Sequence, residues 1–163
     1  MIDPKKIKNK IANKNNLYCL FVILIIFFLD RYTKIYILNN FSDNLFYFND
    51  FINFDLVWNT GIGFGIFSSN SEIVYNFISL FISIVIIILI YLSAVSNVYD
   101  KIIYSIIIGG ALGNFYDRML FKAVPDFVDL HFDNFHWFTF NVADIFITIG
   151  VMTYIIRSFF IKN

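Results

Sequence analysis

Two aspartates, Asp126 and Asp144, stand in stretches that are otherwise apolar. Asp144 lies near the start of the run Asn141-Val-Ala-Asp-Ile-Phe-Ile-Thr-Ile-Gly-Val-Met152, and Asp126 sits in Val124-Pro-Asp-Phe-Val128. A charge at the centre of a membrane helix costs about 2.5–3.5 kcal/mol on insertion scales, so such residues face a bundle interior or a wet cavity. Two carboxylates near one membrane face point to acid–base chemistry. Close neighbours cannot easily both ionise, so one proton is shared between them. The ionised member can then draw a proton from a neighbour while the protonated one donates a hydrogen bond. Such chemistry requires no metal and no cofactor.

Other polar residues fall at helical spacing. Asn114, Asp117 and Arg118 share one helix face and suggest a buried network, in which Arg118 is a fixed cation that aligns a neighbouring carboxylate. Asn141, Asp144 and Thr148 share another face. Asp30 and Lys34, at i and i+4, read as a structural salt pair near one end of the first helix. His131 and His136 lie in a segment without metal-ligand company, and zinc needs three or four convergent ligands, so no metal site is expected. Asn59-Thr-Gly-Ile-Gly-Phe-Gly65 is a permissive turn that lacks the lysine of a phosphate loop. Gly109 and Gly113 are small residues at a spacing that lets two membrane helices approach closely.

The elements that must carry these groups follow from composition. The chain has 163 residues, 59% of them hydrophobic, with 22 Phe. That exceeds the roughly 45–50% apolar share of a soluble domain, so a membrane protein is expected, as one domain over residues 1–163. Zero net charge and the lack of a basic stripe give no sign of nucleic acid, and the single Cys19 excludes an internal disulfide. Apolar runs predict four spans, at about 17–38, 73–98, 102–119 and 138–161, with loops at 39–71 and 120–137. Lysines 5, 6, 8, 10 and 14, Lys101 and Lys162 place both termini in the cytoplasm and the two longer loops outside. The first apolar run is long and lacks a small-residue cleavage site, so it is read as an uncleaved helix rather than a signal peptide. Phe46 and Phe48, then Phe54, Leu56 and Trp58, alternate with other residues and predict two short strands, turned near Asn49-Asp50, resting on the outer membrane boundary. Ser69 and Glu72 fit a capping box for the second span. The expected class is an all-α membrane protein: a four-helix transmembrane bundle with a small extracytoplasmic β-sheet.

Five blocks in order give the chain a resemblance to signal peptidase II, the lipoprotein signal peptidases of bacterial membranes. They are Asp30-Arg-Tyr-Thr-Lys34, Asn59-Thr-Gly-Ile-Gly-Phe-Gly65, Gly109-Gly-Ala-Leu-Gly-Asn-Phe-Tyr-Asp-Arg118, Val124-Pro-Asp-Phe127 and Phe140-Asn-Val-Ala-Asp144. The resemblance implies an aspartic endopeptidase that cuts a signal peptide just before a diacylglyceryl-modified cysteine, in the outer leaflet of the cytoplasmic membrane. It implies Asp126 and Asp144 as the catalytic pair, supported by Asn59, Gly61, Asn114, Asp117, Arg118 and Asn141, with prolipoproteins and membrane lipid as partners. Nothing in the topology demands more than one chain, so a monomer is expected. Ile62 and Gly63 stand where the family usually has alanines, and Pro125 replaces an aliphatic residue. Two other classes fit the same acids: a small proton-coupled transporter subunit using them as a relay, and a non-catalytic scaffold using them as interhelical glue.

Overall fold

Long apolar runs offer the backbone no water, so their hydrogen bonds close within helices. A computed structural model describes residues 14–41, 45–61 and 72–160. Among the described residues four helices form: α1 (Lys14–Asn40), α2 (Glu72–Val95), α3 (Val98–Phe121) and α4 (Val142–Phe160). Ser69 of the expected capping box, along with Ile62 and Gly63, lies outside the described residues. Of the four helices, α2 and α4 are long and apolar enough to cross a membrane. The distribution of polarity is inverted relative to a water-soluble protein: Phe77 is 71% exposed while Lys34 is 0% exposed.

Between α2 and α3 the chain turns within Ser96-Asn97, where the Asn97 side chain accepts from Asp100 N at 3.1 Å and caps α3. That helix ends at Lys122, whose left-handed backbone (φ 55°) turns its N–H back to the Arg118 carbonyl. Central in the bundle, α3 packs on α1, α2 and α4. Its glycines explain how closely. A Cβ on Gly109 would lie 2.8 Å from Ile26 Cβ of α1, and one on Gly110 would lie 2.6 Å from the Ala143 carbonyl of α4. A Cβ on Gly113 would overlap the Asp30 carboxylate. Gly113→Ala is therefore expected to cost about 1–3 kcal/mol through overpacking, read as a lower thermal midpoint of the detergent-purified protein.

A four-stranded antiparallel sheet, ordered β1-β2-β3-β4, joins β1 (Phe46–Asn49), β2 (Ile52–Asn59), β3 (Val124–Phe132) and β4 (Phe135–Phe140). The first hairpin is the one the alternation predicts, turned at Asp50-Phe51. The second corrects two expectations. Residues 120–137 are not merely a loop, and 138–140 belong to β4, so the last helix starts at Val142 rather than Phe138. Val128-Asp-Leu-His-Phe132 alternates apolar and polar residues, the period of a half-buried strand. Asp133, at φ 51°, supplies the left-handed turn. The sheet places Asp126 opposite Val57, and Val124 opposite Asn59.

Candidate active site

Asp126 is buried near the start of β3, and both of its oxygens accept amide hydrogens. Asn59 Nδ2, at the end of β2, donates to Oδ2 at 2.8 Å, and Asn141 Nδ2 donates to Oδ1 at 2.6 Å. Burial, then the charge of Asp144, pushes the Asp126 carboxyl up to about 6, while the amides of Asn59 and Asn141 pull it back.

Asp144 owes its position to helix chemistry. Asn141 Oδ1 accepts from Asp144 N at 3.1 Å, and Asp144 Oδ2 accepts from Asn141 N at 3.2 Å. This reciprocal pair is a capping box at the start of α4. The acid is thereby fixed in the first turn, where the helix dipole favours negative charge. Its other oxygen accepts from Asn114 Nδ2 of α3 at 2.8 Å. Asn141 thus binds both carboxylates, Asp126 through its side-chain amide and Asp144 through its backbone N–H.

Behind the acids lies a buried ionic cluster. Lys34 Nζ is 2.8 Å from Asp30 Oδ2, from Asp117 Oδ2 and from Asn114 Oδ1. Arg31 pairs with Asp117 and lies over the Tyr116 ring at 4.9 Å. The second Asp30 oxygen accepts from Ala143 N at 3.0 Å, so α1 reaches the first turn of α4. The Asp30–Lys34 pair therefore does more than clasp one helix: it links α1, α3 and α4. Arg31 was legible only as a charge interrupting an apolar run. Its pairing with Asp117 is long-range and has no local sequence signal.

The three polar residues on one face of α3 divide their work. Asn114 reaches Asp144, and Asp117 turns to α1. Arg118 Nη2 donates to the Gly61 carbonyl rather than to a carboxylate, which differs from the aligning role expected of it. Asn59 Oδ1 accepts from Gly61 N at 2.8 Å and fixes that turn, while Tyr75 Oη donates to the Arg118 carbonyl at 2.5 Å. Arg118 is only 4% exposed, yet among the described residues its Nε and Nη1 have no hydrogen-bond acceptor. Thr148 does not join the acids. It lines an open apolar groove of about 250 Å³ beside Asp144, with Leu130, Phe140, Ile145 and Ile149. His131 and His136, expected in a loop, face each other across β3 and β4, and His136 Nδ1 lies 2.6 Å from Asp129 Oδ2.

Residues 22–160 match the family described as signal peptidase (SPase) II, a stretch that contains every residue of this site. The chain belongs to the signal peptidase II family. It is 46% identical to the lipoprotein signal peptidase of Pelagibacter ubique (strain HTCC1062) over 158 residues, 95% of each chain. It is 39% identical to that of Blochmanniella pennsylvanica (strain BPEN) over 163 residues, 95% of this chain and 98% of that one. Two solved structures described as bacterial membrane enzymes, obtained by the in meso method at 2.3 and 1.9 Å, superpose with TM-scores of 0.74 and 0.70. Both are 29% identical and cover 86% of this chain, with 86% and 91% of their own lengths matched. A bacterial membrane enzyme of the signal peptidase II family accords with the inverted polarity of the helices.

Proposed function

We propose that this chain is a lipoprotein signal peptidase whose Asp126 and Asp144 activate water to cut the peptide bond before a diacylglyceryl-modified cysteine. One observation carries the reading: Asn141 hydrogen-bonds both carboxylates, as a pair sharing one proton and one substrate would need. Burial keeps water from screening the pair and separates its protonation steps. Asn59, Asn114 and Asn141 orient the acids. Asp117 anchors the ionic cluster, and Gly61 and Arg118 form one wall. Arg118 Nε and Nη1, without an acceptor among the described residues, suit a substrate carbonyl. The apolar groove along Asp144 suits a signal-peptide side chain or an acyl chain.

In this reading residues 1–163 form one peptidase domain with four spans, α1 and α3 crossing alongside α2 and α4. Their charged side chains face inward, where partners make them tolerable. Both termini lie in the cytoplasm by the lysine distribution, and the acids and sheet lie at the extracytoplasmic side of the bacterial inner membrane. One chain supplies every group the reaction needs. The transporter reading, with the same acids as a proton relay, is not favoured by a family of peptidases.

Purified protein in detergent, incubated with a diacylglyceryl prolipoprotein, is expected to release the signal peptide with the modified cysteine at the new N-terminus, as read by mass spectrometry. Cleavage elsewhere, or none with active-site occupancy demonstrated, would refute the assignment. A finer expectation concerns pH. Asn59 donates to Asp126 and favours its ionised form, holding the pKa down. Asn59→Ala should therefore move the basic limb of the kcat/KM profile to higher pH, by roughly half a unit. An unmoved limb would separate Asn59 from the acid.

A further inference from the structure

We infer that Lys34 decides which acid carries the negative charge, holding it on Asp144 through Asn114 and leaving the shared proton on Asp126. The inference rests on the reading of these acids as the catalytic pair. It makes Lys34 a positioning residue rather than a remote structural one.

Three features support it. First, Lys34 Nζ donates to Asp30 Oδ2 and to Asn114 Oδ1 at 2.8 Å each, and forms an ion pair with Asp117 Oδ2 at 2.8 Å. Fully buried, it cannot turn elsewhere. Second, Asn114 cannot flip. With its Oδ1 on a cation, its Nδ2 must point away, and it points at Asp144 Oδ1. An amide polarised by an ammonium is a stronger donor, which favours a charged acceptor. Third, the two acids differ in surroundings. Asp144 occupies the first turn of α4, where the helix terminus favours an anion. Asp126 stands on a strand and is touched by two neutral amides.

The other charges in reach are Asp30 and Arg31 of α1, Asp117 and Arg118 of α3, and Asp126 of β3. Arg31 is paired with Asp117. Asp30 is shared between Lys34 and Ala143 N. Arg118 gives Nη2 to the Gly61 carbonyl, and its charge acts on both Asp126 and Asp144 rather than on one of them. Tyr75 of α2 donates to a backbone carbonyl. Of these groups, only Lys34 reaches an acid of the pair through one oriented amide.

The assignment gives each acid a task. Asp144 takes a proton from water as the water oxygen bonds to the scissile carbonyl carbon. The carbonyl electron pair moves onto its oxygen, which takes the proton of Asp126. On collapse the C–N bond breaks, the amine nitrogen takes the proton from Asp144, and the hydroxyl returns its proton to Asp126. One water is consumed and both acids regain their starting states.

The test uses the full-length enzyme and a synthetic diacylglyceryl lipopeptide. Asp30→Asn combined with Lys34→Met removes one cation and one anion together, keeping the cluster neutral. The acid limb of kcat/KM should move up by about one pH unit, so that kcat/KM at a pH on that limb falls about tenfold. Asn114→Leu, which leaves every charge of the cluster in place, should move the same limb in the same direction, and combining the changes should move it no further. A limb unmoved in folded variants, whatever the change in thermal midpoint, would overturn the inference and leave Lys34 structural. Should the double variant not fold, Asp30→Asn with Lys34→Gln takes its place, since Asn114→Leu also removes the direct bond to Asp144. If Asp126→Asn or Asp144→Asn retains normal cleavage, the dyad itself is wrong, a failure separate from an unmoved limb.

Discussion

Asp144→Asn leaves a folded protein that no longer cuts its substrate, with kcat lower by about 10³- to 10⁴-fold. The size follows from the loss of a positioned proton acceptor, for which factors of about 10²–10⁴ are usual, with the extra loss of a charge that water cannot replace in a buried site. The fold should persist because asparagine keeps an oxygen for the Asn141 N–H and leaves its own backbone N–H on Asn141 Oδ1. Asp126→Asn should fall equally far, since the two acids act as one unit and removing either ends the chemistry. The check is product formation by mass spectrometry at matched protein concentration, with helicity by circular dichroism alongside. Normal turnover in either variant would remove that residue from the mechanism.

The largest loss of stability is expected from Asp117→Asn. This carboxylate is fully buried and answers two cations, Arg31 and Lys34. Breaking a buried pair by removing one partner costs about 3–5 kcal/mol because the remaining charge is left uncompensated. Here two cations lose their shared partner, and only Asp30 remains to answer Lys34. Thermal unfolding in detergent should show the drop, while the exposed Glu72–Lys122 pair, both partners about 70% exposed, should be dispensable. A midpoint for Asp117→Asn equal to that of Glu72→Gln would contradict this account of the cluster.

Much of the site was legible before the coordinates, and for a reason. A carboxylate in an apolar run is costly enough that its presence alone signals a partner, which singled out Asp126 and Asp144. Helical spacing likewise grouped Asn114 with Asp117 and Arg118. Spacing says which side chains share a face, but not which neighbour each one meets. That is why Arg118 was expected on a carboxylate and is found on the Gly61 carbonyl. The reach of Lys34 was hidden similarly: an i, i+4 acid explained it locally, while Asn114 lies 80 residues away along the chain. The second hairpin is hidden in the sequence because Phe138–Phe140 reads as the start of the last span and 120–137 as a loop. Only the Asn141 cap, three residues before Asp144, marks where the helix begins.

The order of the parts along the chain has a biosynthetic consequence. Asp144 rides on the last helix, whose opening turn is held by Asp30 from the first. On the proposed pairing, a ribosome-bound precursor owns only one of the two acids until α4 has emerged and met α1, so proteolytic competence would come late in synthesis.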